Sequence, residues 1–174
     1  MSVSPSNSPE PWALGASARA VIAASPEQLW HWIADPTLHP ALAGSGEPQS
    51  IEMVDGRAPG LGASFESQQK VLGVIRYVAR SEITKFEPNR HFRFCVRGVT
   101  IWEFMLEPAD GGTLVTHRTR IEPPAGLKLF APMLALRERK NVGDMARTLQ
   151  RLAQLVGAPP PVSIQVRYGP PLLD

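Results

Sequence analysis

The sequence predicts one α+β domain in which a series of antiparallel strands precedes a single long C-terminal helix. Segments with alternating apolar and polar residues recur between residues 50 and 122, and short turn-like segments separate them. Residues 127–156 then return to the spacing of an amphipathic helix. Because few of the separators leave room for the crossover helix that parallel neighbours need, we expect antiparallel pairing.

The composition is that of an ordinary folded domain. The chain has 174 residues, of which 43% are hydrophobic and 20% are charged, and this suits one domain with its own core. Its apolar runs fall short of the roughly 20 residues of a membrane-spanning helix, and residues 1–20 lack the pattern of an export signal. The single Cys95 cannot form an internal disulfide. We therefore expect a cytoplasmic protein with no integral membrane segment.

The charge distribution raises the question of nucleic-acid binding. The formal net charge is only +2, but the predicted last helix, residues 127–156, carries six basic residues against two acidic ones. A solvated outer helix face explains this pattern. Neither a nucleic-acid motif nor a row of stacking aromatic residues accompanies it, so we expect no nucleic-acid partner.

The two ends of the chain differ from its middle. Residues 1–16 are rich in Ser and Pro, and residues 158–174 contain five prolines. Such segments bury too little apolar surface to offset their ordering entropy. We predict flexible tails at 1–16 and 158–174 and a domain at 17–157. Whether the short apolar piece at 162–168 docks as an added strand stays open.

The first third of the domain predicts a strand followed by two short helices. After a strand at 17–24, Ser25 is a suitable N-cap and Pro26 suits the first helical position. The pair Asp35-Pro36 should end this helix, and Pro40 indicates a second short helical turn before an exposed loop.

Six alternating segments follow, so that with the first strand the sheet has about six to seven strands. The final helix should span 127–156, with Pro132 in or before its first turn and Gly157 just beyond its end. The six segments are Ser50 to Asp55, Ala63 to Lys70, Val74 to Phe86, His91 to Arg97, Thr100 to Glu107 and Thr113 to Glu122.

Several stretches resemble the START-like superfamily, also called the SRPBCC or helix-grip fold, and its polyketide cyclase/dehydratase-like members. They are Ala23-Ala24-Ser25-Pro26-Glu27-Gln28-Leu29-Trp30, Ile33-Ala34-Asp35-Pro36, Trp102 to Pro108 with Gly111 to Thr116, and Met145 with Thr148, Leu149 and Leu152. The resemblance covers residues 17–157. It implies a curved antiparallel sheet wrapped around the long C-terminal helix, with a cavity between them.

Strand parity predicts which side chains face that cavity, because successive residues of a strand point to opposite faces. Outward-facing charges such as Glu103, Arg97 and Arg118 set the facing of each strand. The predicted ligand-binding residues are Phe65, Ser67, Gln69, Tyr77, Ser81, Phe92, Phe94, Trp102, Phe104, His117, Thr119, Met133 and Met145.

An apolar inner face with a few polar groups is the usual form of a small-molecule site. We therefore expect the chain to bind or carry a small hydrophobic molecule. The alternative is a polyketide cyclase/dehydratase-like enzyme acting on a carbonyl compound, with His117 as the best candidate acid or base and Tyr77 or Ser81 holding the carbonyl oxygen. A further alternative is a chaperone-activator-like interaction module. Each polar residue could equally bond a neighbour in the interior.

We expect no metal and no cofactor. The four histidines are scattered and no cysteine pair exists. The glycines at 44–46 and 60–62 do not form the longer patterns that cradle phosphates. We expect these two segments to be flexible lips of the cavity mouth, with His39 near the entrance.

Overall fold

The computed structural model describes residues 14–71, 73–121 and 131–169. Its strands are β1 (Leu14–Ile22), β2 (Pro48–Met53), β3 (Ser64–Val71), β4 (Ile75–Glu87), β5 (His91–Val96), β6 (Thr100–Ala109), β7 (Gly112–Ile121) and β8 (Gln165–Gly169). Its α-helices are α1 (Pro26–Ala34), α2 (His39–Leu42) and α3 (Ala131–Leu155), and 3₁₀ turns lie at Pro36–Leu38 and Val54–Gly56.

The strands form one antiparallel sheet in the order β2-β3-β4-β5-β6-β7-β1-β8. The sheet curves around α3, which packs chiefly against β1. This confirms the predicted α+β class, the two short helices after the first strand and the long C-terminal helix. Among the described helices, none combines the length and apolar character that crossing a membrane requires.

The eighth strand comes from the segment predicted to be a C-terminal tail. β8 pairs antiparallel with β1 over the register Gly15↔Gly169 to Arg19↔Gln165. The question left open for residues 162–168 is thus answered by a docked strand at the sheet edge. The division into a domain at 17–157 and two tails stays a prediction.

Local sequence explains the short helices. Ser25 caps α1 in a capping box: its hydroxyl accepts from the Gln28 N–H, while the Gln28 side chain accepts from the Ser25 N–H at 2.9 Å. Asp35 ends α1 and caps the next turn by accepting from the Thr37 N–H. The start predicted for the last helix, at residue 127, lies outside the described residues.

The core joins small residues of β1 to one stripe of α3. Ala18 and Ala20 face inward with little side-chain bulk, and they allow the helix to approach closely at Leu149 and Leu152. These two leucines are completely buried. The C-terminal half of α3 therefore fills the concave face of the sheet.

The loop between α2 and β2, residues 43–47, is bonded to α3. The Gly44 N–H donates to the Thr148 hydroxyl at 2.9 Å, and the Gly44 carbonyl accepts from Arg147 Nε at 3.0 Å. Arg151 donates to the Ala43 carbonyl. The expectation of a flexible lip is therefore wrong at this loop, and residues 60–62 do not line the cavity at all.

Basic residues of α3 also hold this loop. Lys140 donates to Glu47 at 2.9 Å, and Arg137 lies 3.3 Å from the same carboxylate. Their side chains remain about half exposed. The basic helix face is therefore not only a solvated surface, since it ties the helix to the loop.

Replacing Gly44 should destabilise the fold. A Cβ at Gly44 would lie 2.1 Å from the Asp144 carbonyl oxygen and 2.6 Å from the Thr148 nitrogen, both of them backbone atoms. Gly44→Ala should lower the free energy of unfolding by about 1–3 kcal/mol, the usual cost of overpacking. Urea unfolding measures the change. Gly60→Ala is the matched control because a Cβ there meets no atom within 4 Å, and equal stability of the two variants would contradict the close packing.

Candidate ligand-binding cavity

A cavity of about 630 Å³ lies between the concave face of the sheet and the middle of α3, residues 137–148. Its lining residues at one end, Ile75, Arg97 and Arg137, are exposed, so that end is the mouth. Ten of the predicted ligand-binding residues lie on its wall: Phe65, Ser67, Gln69, Tyr77, Ser81, Phe94, Trp102, Phe104, His117 and Met145.

Two predicted site residues, Phe92 and Thr119, are not on this wall. Phe92 faces inward but is buried in the core, in edge contact with the rings of Trp30 and Phe86. Thr119 is also buried, and its hydroxyl donates to the Ile101 carbonyl at 3.0 Å. Parity gives the face of a residue but not its position along the strand, and for this reason both were misplaced. The side chain of Met133 lies outside the described part of the chain.

His117 lies on the inner wall of the cavity. Its ring stacks on Phe104 with centroids 4.0 Å apart and lies 5.6 Å from the ring of Trp102. Its Nδ1 is buried and has no hydrogen-bond partner among the described residues. Burial, together with the smaller effect of the nearby His39, lowers the pKa of His117 to about 3. The side chain is therefore neutral at pH 7.

His39, which we expected only near the entrance, is buried in the cavity wall. Its ring lies about 6 Å from those of Phe92 and Phe94. Its Nε2 lies 2.9 Å from the Ile33 carbonyl and donates to it. Burial lowers the pKa of His39, opposed by that hydrogen bond. Parity could not place His39, because it begins a helix of four residues and not a strand.

The polar groups on the wall fall into two sets. Gln69 donates to the Ser67 hydroxyl at 2.7 Å, and Ser67 donates to the Ala79 carbonyl at 3.3 Å, so these two bond their neighbours. Within the described residues, the hydroxyls of Tyr77 and Ser81 make no hydrogen bond. Tyr77, Ser81 and His117 thus have polar atoms available to a ligand.

Arg97 corrects the parity argument. It was expected to face outward from β5, but that strand ends at Val96 and Arg97 lies in a turn with φ +51°. There it lines the cavity, donates to the Val78 carbonyl, and places its guanidinium 5.5 Å from the centre of the Tyr77 ring. Alternation applies only while the backbone stays extended.

The helix contributes wall residues that the sequence analysis missed. Arg137, Asn141, Asp144 and Thr148 line the cavity together with Met145. These residues continue the helical spacing of i, i+4, i+7, i+8 and i+11. Extending the stripe through Met145 toward the N-terminus would have found them.

On the convex face of the sheet, opposite the cavity, β6 and β7 carry charged side chains that bond to each other. Glu103 was expected to face outward, and it does, but it is only 6% exposed. Burial alone would raise the pKa of Glu103, but hydrogen bonds from His91 and Arg118 lower it to about 2. Arg118 therefore belongs to an ion-pair cluster on the convex face, while its neighbour His117 faces the cavity.

A curved antiparallel sheet that encloses a cavity against a long C-terminal helix defines a helix-grip protein. The family profile described as polyketide cyclase / dehydrase and lipid transport matches residues 14–157, and the chain belongs to that family. No curated protein matches the chain at a significant level.

Solved structures share the fold at low sequence identity. Protein NE0264 from Nitrosomonas europaea is 14% identical with a TM-score of 0.58, over 83% of this chain and 94% of its own. The di-domain ARO/CYC StfQ from the steffimycin biosynthetic pathway is 12% identical with a TM-score of 0.65, over 84% of this chain and 51% of its own. Ara h 8.0201 is 16% identical with a TM-score of 0.56, over 83% and 97%.

Acid should destabilise the protein through the buried histidines. Since the folded-state pKa of His117 is about 3 against an ordinary 6.5, the unfolded chain gains a proton below pH 6.5 that the folded chain does not. Stability should therefore fall from pH 6.5 toward pH 3, by up to about 1.4 kcal/mol per pH unit and proton. Glu103 adds its own loss only below about pH 4.5.

The variant His117→Phe isolates this contribution, because it keeps an aromatic ring against Phe104 and removes the titrating group. Urea unfolding between pH 7 and pH 5 should show a shallower loss of stability in this variant than in the wild type. Thr119→Val, a substitution on the same strand that removes no titrating group, should keep the wild-type slope. An unchanged slope in His117→Phe would show that His117 is not buried as described.

Proposed function

We propose that this protein binds and carries a small, largely apolar molecule in its cavity. The observation that carries the proposal is the cavity itself: about 630 Å³, with an aromatic and aliphatic wall and a few polar atoms that make no hydrogen bond within the described residues. Ligand sites of this kind typically measure 300–1,000 Å³ and use apolar burial for affinity and a few hydrogen bonds for orientation.

The polar atoms indicate what the molecule carries. His117 is neutral, so its ring offers one donor and one acceptor nitrogen, and Tyr77 and Ser81 add hydroxyls. A carbonyl or hydroxyl group can bond to each of them. The charged lining residues Arg97, Arg137, Glu47 and Asp144 come from turns and from α3, and the described strand residues around His117 supply no counter-charge to a buried charged group. We expect a neutral apolar ligand with one or two oxygen functions.

Native mass spectrometry of protein purified from its own host tests the proposal. The expected result is a mass increase by one small molecule, which denaturation releases and which extraction into organic solvent recovers. A protein that retains no molecule and takes up none from a lipid extract of the host would contradict the proposal.

His117→Phe should weaken binding of the recovered ligand by about 1–3 kcal/mol, the cost of losing a buried hydrogen bond. Isothermal titration calorimetry measures the affinity. Thr119→Val is the control inside the sheet, since Thr119 faces the same way but bonds Ile101 and does not line the cavity. Arg118→Ala should disturb the Glu103 cluster and lower stability while changing affinity little. Equal losses of affinity in His117→Phe and Arg118→Ala would overturn the assignment of His117.

The alternative function is a cyclase or dehydratase acting on a carbonyl compound. It is favoured by the neutral His117, which can exchange a proton with a ligand in the cavity. A pKa of about 3 makes this side chain a weak base, however, and no carboxylate bonds to it among the described residues. Binding without reaction accords better with these properties.

Turnover separates the two functions. The recovered ligand is incubated with the protein at pH 7 and analysed by liquid chromatography and mass spectrometry. A carrier returns it unchanged, whereas an enzyme converts it to a product that His117→Phe fails to form.

The interaction-module alternative receives less support, because Arg93 and Arg118 of the outer face are already bonded to Thr84 and Glu103.

A further inference from the structure

The tip of the β3–β4 hairpin is apolar and exposed. Val74 and Ile75 are 77% and 55% exposed, which is unusual for branched apolar side chains that occur together. Gly73 adopts φ +72° in the turn that places them there. The tip therefore presents the apolar side chains of Val74 and Ile75 to solvent.

Two cations flank this tip at the same level. The register of the hairpin pairs Lys70 directly with Arg76, one step below the pair Val71↔Ile75. Like charges placed directly opposite each other destabilise a strand pair. Neither cation forms an ion pair with another described residue. The chain thus carries an unfavourable pair of positive charges beside its exposed apolar tip.

Elsewhere in the sheet, like charges also lie opposite each other at Glu52↔Glu66 and Lys85↔Arg93, but both of these pairs have an opposite charge beside them. Further along the same hairpin Glu66 pairs with Arg80, and in the middle of the sheet Glu103 lies opposite both Arg93 and Arg118. Lys85 also forms an ion pair with Glu87. The pair Lys70↔Arg76 has no such acidic neighbour in the register of the hairpin. An anionic partner would neutralise it.

The tip adjoins the mouth of the cavity. Ile75 lines the cavity, as do Gln69 and Tyr77 on the next step of the same hairpin. Arg97 from the β5–β6 turn lies against Tyr77 and adds a third cation at this end. A surface that contacts the tip would therefore face the opening.

We propose that the hairpin tip docks on the surface of an anionic lipid bilayer. Val74 enters the headgroup region while Lys70 and Arg76 contact lipid phosphates, and this combination of apolar insertion and flanking cations is typical of interfacial binding. A protein partner would need a larger complementary area than a single hairpin tip provides. Docking brings the cavity mouth to the membrane. This proposal does not depend on the cavity having a ligand, because bilayer binding is measured by itself.

Sedimentation with lipid vesicles tests the docking. Full-length protein is mixed with sucrose-loaded vesicles of phosphatidylcholine alone or of phosphatidylcholine with 30% phosphatidylglycerol, a fraction set to about one lipid in three so that the surface is strongly anionic. Binding is expected to the anionic vesicles, and to weaken strongly at high salt because screening shortens the reach of surface charges. No sedimentation with either vesicle, or equal sedimentation with both, would overturn the proposal.

Variants locate the contact. Val74→Ser should weaken vesicle binding about tenfold through lost apolar burial. Lys70→Ala with Arg76→Ala should weaken it about 25-fold, at roughly fivefold for each cation near an anionic surface. The matched controls are Leu61→Ser, an apolar residue 74% exposed on another loop, and Arg139→Ala on the exposed surface of α3. Both should bind like the wild type.

Two further outcomes would overturn the assignment. If the controls lose as much binding as the tip variants, the attraction is a property of the whole surface. If Val74→Ser instead abolishes a concentration-dependent dimer in sedimentation velocity, a second copy of the chain covers the tip. Thermal unfolding of each variant shows that lost binding is not lost folding. The midpoint is expected at the wild-type value for Val74→Ser, whose side chain is exposed, and at or above it for the double variant, which removes the like-charge pair.

Discussion

The close approach of α3 to β1 is the packing constraint on which the cavity depends. Alanines at positions 18 and 20 remove side-chain bulk from the strand, so Leu149 and Leu152 can fill the concave face there. Toward its N-terminus the same helix presents Asn141 and other polar residues to open space. The same helix therefore packs directly against one part of the sheet and forms one wall of the cavity over another part. A bulkier β1 would lift the whole helix and change the volume of the cavity.

The α2–β2 loop fixes the position of α3 over the cavity. Its contacts with α3 run through the Gly44 backbone, the Thr148 hydroxyl and the ion pairs of Glu47. Backbone contacts at such short range leave no room for a side chain, so the glycine serves close packing and not flexibility. Exposed ion pairs contribute little individually. The loop is therefore fixed mainly by its buried hydrogen bonds, and the entrance is bounded by the neighbouring turns.

The two faces of the sheet handle polar groups by opposite means. On the concave face, desolvation keeps His117 neutral, and its Nδ1 has no hydrogen-bond partner within the described part of the chain. On the convex face, Glu103 stays charged because His91 and Arg118 replace the water it loses. The adjacent β7 residues His117 and Arg118 thus lie in different environments, one in the apolar cavity wall and the other in an ion-pair cluster. A neutral, weakly basic histidine beside apolar walls suits recognition of an oxygen function more than proton transfer.

The sequence by itself determined the α+β class, the order of the elements and the facing of most strand residues, because these follow from local periodicity and capping. Ten predicted wall residues lie on the cavity for this reason. Only the tertiary structure decided where along each strand the cavity ends, and for this reason Phe92 and Thr119 are not on its wall. It also decided where the extended backbone changes to a turn, and this turn places Arg97 at the mouth. It also decided the burial of His39, the bonding of Gly44 to α3 and the pairing of β8 with β1. Each of these depends on contacts between residues far apart in the chain, and local periodicity carries no information about such contacts.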